Sequence, residues 1–335
     1  MIIPVVHCFD NNYVIPASVA FLSMLEHANK KHQYKLYIMH SDITLENQKK
    51  LTSVVNRFAN ASLEFIDMNN KFNDLFSNTL CQAHYSKEMY YKLCVASLFK
   101  QYDYAIITDV DVLYQDDISK EYEKFIKTTD YYMAGVYTDR LKGTFLETYD
   151  NVYDADFNAD EKHILLNGVG AGYLIFNLKK IRKDGIEKKL IDFAAKNTYR
   201  LIQPEQDTLN LCLYPNIYRL PLSSMVCTYL YDLQAPPPTA KTTLELKKAL
   251  QKPVQIHFAT CIKPWNMPSC TKADLWYAYL SKTPFFYEQM QSLEKKETMQ
   301  KEIWRLFGLP VLSIKSKKNS VSKIKLFGIK LKKTT

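Results

Sequence analysis

Short apolar runs and amphipathic stretches alternate along this chain from its first residues. Residues 2–8 (Ile-Ile-Pro-Val-Val-His-Cys) are an apolar run of the length of a buried strand. Over 15–26 the apolar positions recur at helical spacing, which predicts a helix. Residues 34–40 alternate and predict a second strand, and 45–58 predicts a second helix with Ser41 or Thr44 as its cap. A strand at 62–66, a helix at 90–100, strands at 104–108, 130–136 and 171–177, and a helix at 184–196 continue the rhythm. Strands and helices alternating at this interval indicate an α/β fold, an open and mostly parallel sheet with helices on both faces. Pro236-Pro237-Pro238 marks a loop. From about residue 270 an aromatic-rich helical pattern (275–279 and 285–293) reads as an appendage. The chain therefore divides into a large α/β domain over 1–270, a helical appendage over 271–310 and a tail over 311–335.

Composition adds limits. The 335 residues are 47% apolar and 24% charged, enough for a sizeable core and too apolar for a disordered chain. No stretch reaches the roughly 18 consecutive apolar residues of a membrane-spanning helix, and the N-terminus lacks the basic start of a secretory leader. Seven scattered cysteines, none in a Cys-x-x-Cys pair, point away from a disulfide framework or a zinc site and toward a reducing cytosol. The net charge of +9 is unevenly placed: residues 311–335 hold eight lysines and no acid, which leaves the rest near neutral. A nucleic-acid-binding fold spreads its basic residues over a folded face, so no nucleic-acid partner is expected. In the tail Leu306-Phe307-Gly308-Leu309 is echoed by Leu326-Phe327-Gly328-Ile329, and lysines interleave with Phe, Leu and Ile. That composition suits a segment lying on an anionic membrane surface, at about 1 kcal/mol per lysine; a solvated tail is the plainer reading.

The strongest chemical signal is the run Tyr104-Ala-Ile-Ile-Thr-Asp109-Val-Asp111, where an apolar strand ends in two carboxylates at i and i+2. In extended geometry those side chains share a face. Two close carboxylates repel, so a site that keeps both normally places a cation between them, and oxygen ligands suit Mg2+ or Mn2+. A surface turn with two local hydrogen-bonding Asp residues is the other reading. Asp-x-Asp after a strand also occurs in haloacid-dehalogenase-like phosphatases. There it follows the first strand, whereas here it lies over 100 residues in, with Leu113 where a Thr or Val is expected.

Several separated motifs, in order over roughly residues 1–270, resemble glycosyltransferase family 8, the retaining sugar-nucleotide transferases that include bacterial lipopolysaccharide glucosyl- and galactosyltransferases and glycogenin. Asp10-Asn11-Asn12-Tyr13 resembles the family's Asp-x-Asn-Tyr element, Tyr90-Tyr91-Lys92-Leu93 its Tyr-Tyr-Arg-Leu, and Asp109-Val110-Asp111 its metal-binding pair. Asn167-Gly168-Val169-Gly170-Ala171-Gly172, running on to Asn177, is similar to its Asn-Ala-Gly-Val segment. Glu205-Gln206-Asp207-Thr208-Leu209-Asn210 matches its acidic-Gln-Asp-x-x-Asn element, and His257 with Lys263-Pro264-Trp265 its His-x-x-Gly-x-x-Lys-Pro-Trp. Lys92 stands where the family has Arg, and an ammonium cannot copy a bidentate guanidinium. Thr260 stands where it has Gly.

The resemblance implies a Rossmann-like nucleotide-sugar-binding fold of the GT-A type, with a mixed, mostly parallel sheet and a small C-terminal helical and basic extension. It implies a metal site of Asp109, Asp111 and His257 holding Mn2+ or Mg2+. It implies donor contacts from Asp10, Asn12, Tyr13, Lys92, Asn167, Gly168, Asp207 and Lys263, the last stabilising departing UDP. Close backbone approach to the donor sugar falls to the glycines at 168, 170 and 172. Glu205, Asp207 and Asp139 would hold donor hydroxyls, and Gln206 occupies the candidate position beneath the anomeric carbon. The implied reaction moves glucose or galactose from a UDP-hexose to a hydroxyl of a glycan or glycolipid acceptor, such as lipopolysaccharide or lipooligosaccharide, with retention. An amide oxygen is a poor nucleophile, which favours a front-face route through an oxocarbenium-like transition state. The expected location is cytoplasmic, peripheral on the inner face of the cytoplasmic membrane. A self-glucosylating glycogenin-like enzyme and a catalytically idle nucleotide-sugar-binding or membrane scaffold are the alternatives.

Overall fold

The computed structural model describes residues 1–80, 85–137, 156–232, 240–297, 299–306, 309–317, 320–326 and 329–331. The chain divides into two units, Met1–Thr283 and Pro284–Thr335. The first opens with β1 (Ile2–Cys8), α1 (Val14–Glu26), β2 (Gln33–His40), α2 (Leu45–Val55), β3 (Ala61–Asp67) and α3 (Asn73–Ser77). A 3-10 stretch over Lys87–Cys94 leads into α4 (Val95–Leu98), β4 (Tyr104–Thr108), β5 (Val112–Tyr114), α5 (Ser119–Phe125) and β6 (Met133–Tyr137). Next come α6 (Ala159–Leu166), β7 (Val169–Asn177), α7 (Leu178–Lys183), α8 (Ile186–Asn197), α9 (Pro204–Leu213), β8 (Ile217–Leu220) and β9 (Val226–Cys227). The unit ends with α10 (Ala240–Gln251), β10 (Gln255–His257) and α11 (Ala273–Leu280).

Seven strands form the main sheet in the order β3-β2-β1-β4-β7-β6-β8. Four of its pairings are parallel (β1 with β2 and β4, β2 with β3, β6 with β8), and the two made by β7 are antiparallel. The sheet is thus mixed and mostly parallel, as the alternation of strands and helices predicts. β1 is buried over its middle five residues, and all nine residues of β7 are buried, so both read as continuous apolar runs rather than alternating ones. From β1 the chain builds outward through β2 and β3, then returns to place β4 on β1's other side. The carboxyl ends of β1 and β4 therefore flank a topological switch point, where open α/β sheets bind ligands. A second, short sheet, β5-β10-β9, stands beside this point.

Local chemistry accounts for most boundaries. Eleven of the thirteen α1 residues are buried, so this helix is apolar all round and sits inside the fold. Of the two candidate caps for α2, Thr44 takes the role by accepting from the Asn47 N–H. The helix predicted over 90–100 is instead the 3-10 stretch Lys87–Cys94 followed by one α turn. Glu88 through Cys94 are all buried, and tertiary packing overrides the helical period. The helix predicted over 184–196 is α8, and α7 ends just before it around Gly185, whose φ of 65° is open to glycine at little cost.

The second unit contains α12 (Phe286–Glu297) and a four-stranded antiparallel sheet in the order β11 (Met299–Leu306), β12 (Leu309–Lys317), β13 (Ser320–Leu326), β14 (Ile329–Leu331). The sequence led us to expect a helical appendage to 310 and a tail beyond it. Residues 299–331 pair as strands because apolar and basic positions alternate with period two, as in Val321-Ser322-Lys323-Ile324-Lys325-Leu326. The Leu-Phe-Gly echo has a counterpart in the pairing, since Leu306 is opposite Leu309 and Leu326 opposite Ile329.

Candidate active site

The site is assembled where β4, β10 and α9 meet the switch point. Asp109 follows β4 directly, and its N–H donates to the Gly172 carbonyl at 3.1 Å, extending the β4–β7 ladder. Asp111 precedes β5, and its carbonyl accepts from the Phe258 N–H at 2.9 Å, so the Asp111 and His257 segments run side by side. His257 ends β10, opposite Val112 on one side and Cys227 on the other. These pairings bring His257 Nε2 within 3.2 Å of Asp111 Oδ1 and 3.7 Å of Asp109 Oδ2. One ligand atom from each of the three residues lies within 4.8 Å of the others. Two carboxylates and an imidazole converging in this way fit a borderline-hard divalent cation such as Mn2+ or Mg2+. His257 Nδ1, on the far side of the ring, is buried without a hydrogen-bond partner among the described residues.

Each carboxylate already has a cation. Lys92, only 2% exposed, points Nζ at Asp109 Oδ1 (2.7 Å), the Ala171 carbonyl (3.2 Å) and Glu205 Oε1 (3.3 Å). Its three donors therefore have three acceptors. Burial opposes its charge, but Asp109 and Glu205 outweigh that and raise its pKa, so it is an ammonium. Glu205 Oε2 remains buried with no hydrogen-bond partner among the described residues. Lys263 Nζ lies 2.5 Å from Asp111 Oδ2 and also donates to the Phe258 carbonyl. Against the cost of burial, Lys263 and His257 hold the Asp111 carboxyl well below the usual carboxylate range. Reciprocally, Asp111 overcomes the burial of His257 and lifts its imidazole to about 10.

The other predicted residues fall into two groups. Asp10, at the end of β1, accepts from the Asn12 N–H and side-chain amide, both at 3.0 Å, and burial raises its carboxyl. Tyr13 packs edge-on to Trp265, with ring centroids 5.8 Å apart, and Trp265 in turn meets Trp276. These aromatic and polar groups line the same end of the sheet as the acidic pair. Five residues have partners or close neighbours within the protein. Asn167 is exposed, and its amide donates to the His163 carbonyl at the end of α6. Asp207 is 1% exposed, and its Oδ2 accepts from the Ile202 and Gln203 N–H groups, anchoring the start of α9. A Cβ on Gly168 would lie 2.6 Å from Asn210 Cγ, and one on Gly172 2.4 Å from His257 Cε1. These two glycines make room for side chains of the protein. Thr260 Oγ1 accepts from the Ile262 N–H within its own loop. Asp139 lies outside the described residues.

Gln206 Oε1 accepts the Ala171 N–H at 2.8 Å, which fixes the amide beside Lys92 and the β7 backbone. The sequence singled out Asn210 only as part of a motif. Its side chain clamps β7 by pairing with the N–H and carbonyl of Val169 at 2.8 and 2.9 Å. Thr108 and Gln255 were not singled out at all, although a polar residue inside an apolar strand (Ile-Ile-Thr, Val-Gln-Ile) is a readable signal.

Comparisons with known proteins agree with this geometry. A sequence model described as Glycosyl transferase family 8 matches residues 4–268. General stress protein A of Bacillus subtilis (strain 168) is 26% identical over 293 residues, covering 84% of this chain and 94% of that protein. Among solved structures, the galactosyltransferase LgtC in complex with donor and acceptor sugar analogues superimposes with a TM-score of 0.68 at 20% identity, covering 84% of this chain and 96% of LgtC. The bifunctional glycosyltransferase WbbM matches with a TM-score of 0.66 at 22% identity over 86% of this chain; the match spans about half of WbbM (51%). The likeness to LgtC makes the fold GT-A. A family match across most of the first unit, carrying the motifs that converge at the switch point, makes this chain a member of glycosyl transferase family 8.

Proposed function

We propose that this glycosyltransferase moves a hexose, glucose or galactose, from a UDP-sugar to a hydroxyl of a cell-surface glycan or glycolipid, with retention and with a divalent metal. The observation that carries the reading is the convergence of Asp109, Asp111 and His257 at the switch point, with a lysine on each carboxylate. When bound by these three residues, Mn2+ or Mg2+ would neutralise the donor diphosphate and offset charge building on the leaving group. LgtC, which shares this fold, was solved with donor and acceptor sugar analogues, and that supports a sugar donor for this chain.

With a cation held by Asp111, the Lys263 ammonium now paired with that carboxylate would be able to turn to the diphosphate, where a point charge serves well. With His257 neutral, two lysines and a divalent cation against Asp109, Asp111 and Glu205 leave a net charge of about +1, the sign a diphosphate needs. Glu205 Oε2, buried and without a hydrogen-bond partner among the described residues, is an acceptor ready for a donor hydroxyl. Lys92 holds Glu205 and Asp109 in fixed relation, so the sugar contact and the metal contact share one anchor. Asp139 is retained as a further donor-hydroxyl contact on sequence grounds. Gln206 is neutral and engaged by Ala171, so it supplies a fixed dipole under the anomeric carbon rather than a nucleophile. The acceptor proton then passes to the departing phosphate oxygen in a front-face displacement.

Location rests on the second unit. Cross-strand partners share a face of a sheet. By register, Trp304, Leu312, Leu326 and Ile329 with Ile314, Ile324 and Leu331 occupy one face, and Glu302 ends the second row. Lys301, Lys315 and Lys323 with Ile303, Ser313, Lys325 and Lys330 make up the alternate register rows, rich in lysine. We infer that the lysine face adsorbs to anionic lipid at the inner face of the cytoplasmic membrane, where lipid-linked acceptors are found. No helix among the described residues is long and apolar enough to cross a membrane. Sedimentation with anionic and zwitterionic vesicles tests this: Lys323→Glu/Lys325→Glu should lose binding to the anionic vesicles, and unchanged binding refutes the location. For the reaction itself, purified protein is incubated with Mn2+ and a panel of nucleotide-hexoses. Release of UDP from one UDP-hexose, lost in Asp111→Asn, is the expected result; no turnover of any donor contradicts it.

A further inference from the structure

Beneath the three metal-ligating residues lies a buried polar knot that neither donor nor metal contact explains. Thr108 Oγ1 is 2.9 Å from the Gly172 carbonyl, 2.9 Å from Tyr114 Oη and 2.8 Å from Gln255 Nε2. Gln255 Nε2 also reaches Tyr114 Oη at 3.2 Å. Thr108, Tyr114 and Gln255 have no solvent exposure.

The donors in this knot can be assigned one by one. A carbonyl only accepts, so the Thr108 hydroxyl proton goes to Gly172, the nearer of two carbonyls it faces, that of Asp109 being 3.3 Å away. Tyr114 must then donate to Thr108, and the Gln255 amide donates to both hydroxyls. The Gly172 carbonyl takes its second hydrogen bond from the Asp109 N–H. From β1, His7 Nδ1 lies 3.1 Å from the Thr108 carbonyl and must be the donor there. Every bond therefore has one direction, and Thr108 Oγ1 has both its proton and its lone pairs engaged.

The placement of the knot is what gives it meaning. Thr108 ends β4 of the main sheet, one residue before Asp109. Tyr114 and Gln255 are directly opposite each other in the small sheet. Tyr114 is three residues after Asp111 and Gln255 two before His257. Gly172 lies against the His257 ring. The small sheet has only three register pairs between β5 and β10 and two between β10 and β9, so its backbone ladder alone defines its position weakly. The knot ties that sheet to the one that carries Asp109. Apolar side chains would fill the same core with no polar groups to desolvate, so the hydroxyls and amide are there for geometry.

We propose that Thr108, joined at once to Tyr114, Gln255 and Gly172, is a positioning residue that sets the separation of Asp109, Asp111 and His257 and so the affinity for the divalent cation. This rests on the metal reading above. The test is Mn2+ titration of the full chain by calorimetry, with urea unfolding of the same samples. Thr108→Val keeps the shape and removes the hydroxyl; it should weaken Mn2+ about tenfold or more, the usual effect of losing a group that orients a metal ligand. Thr108→Ser should restore affinity to within about threefold of wild type. Leu51→Ala, a cavity at a fully buried side chain of α2 that has no bond to the knot, should lower stability and leave Mn2+ affinity unchanged. Should Thr108→Val fail to fold, Tyr114→Phe carries the same expectation with one bond removed. A folded Thr108→Val or Tyr114→Phe with wild-type Mn2+ affinity overturns the inference, as does a Ser variant as weak as the Val one. Wild type that binds no Mn2+ overturns the metal reading and this inference with it, whereas binding unchanged by the variants overturns this inference alone.

Discussion

Adding one methyl group at Gly172 tests the metal site sterically. A Cβ there would lie 2.4 Å from Cε1 and 2.5 Å from Nδ1 of His257, and 3.0 Å from Sδ of Met225. Carbon contacts are comfortable from about 3.5 Å, so the imidazole must retreat by about 1 Å. It cannot slide with its strand, because His257 is paired with Val112 and Cys227 on either side. The ring must therefore swing, taking Nε2 away from Asp111 and Asp109. Protein–metal distances tolerate errors of about 0.2 Å, so one of three protein ligands is lost or badly placed. The expected cost is about 10- to 100-fold in Mn2+ affinity, with about 1–3 kcal/mol of overpacking strain in stability. Calorimetric titration of Gly172→Ala with Mn2+ reads the first, and urea unfolding the second. Gly168→Ala is the control, because its Cβ would meet Asn210 at 2.6 Å, a clash of similar severity against a residue outside the metal cluster. A Gly172→Ala protein that loses stability like Gly168→Ala yet binds Mn2+ as wild type does would refute the placement of His257 in the site.

Other outcomes follow from the same geometry. Lys92→Met leaves Asp109 and Glu205 facing each other without their buried cation, and should cost about 3–5 kcal/mol in urea unfolding. In the metal-free protein His257 is held protonated up to about 10, whereas a metal ligand must be neutral. Mn2+ binding should therefore release about one proton at pH 7.5, and affinity should tighten by up to tenfold per pH unit, read by calorimetry in buffers of different ionisation enthalpy. Burial lowers His7 to about 3, below the 6.5 of the unfolded chain, so its contribution is present above pH 6.5 and is lost as pH falls towards 3. That slope approaches about 1.4 kcal/mol per unit well below pH 6.5; between pH 6.5 and 4.5 wild type should lose about 2 kcal/mol more than His7→Gln.

The order of strands and helices was legible because burial on both faces writes strands such as β1 and β7 as unbroken apolar runs. The acidic pair was legible for a related reason: charge at the end of such a run has few structural uses. What the residues alone do not carry is direction across space. Gly168 and Gly172 read as room for a ligand, and only the packed fold shows Asn210 and His257 filling that room. Asp207 reads as a sugar contact because it is acidic and lies in a motif; its Oδ2 is held by two backbone N–H groups that sequence spacing does not reveal. The stretch Lys87–Cys94 was misjudged because seven buried residues in a row leave no polar face to set a period. Residues 299–331 were obscured by composition, since abundant lysine suggests a solvated tail even where period-two alternation indicates strands.

The central claim, that Asp109, Asp111 and His257 join a divalent cation to a UDP-sugar's diphosphate, is tested most directly by UDP binding itself. Calorimetric titration of UDP into the full chain, with Mn2+ and then with EDTA, should show binding at least about tenfold tighter with the metal, and no such difference in Asp111→Asn. UDP that binds wild type equally well in EDTA, or Asp111→Asn with the full metal enhancement, would contradict the account.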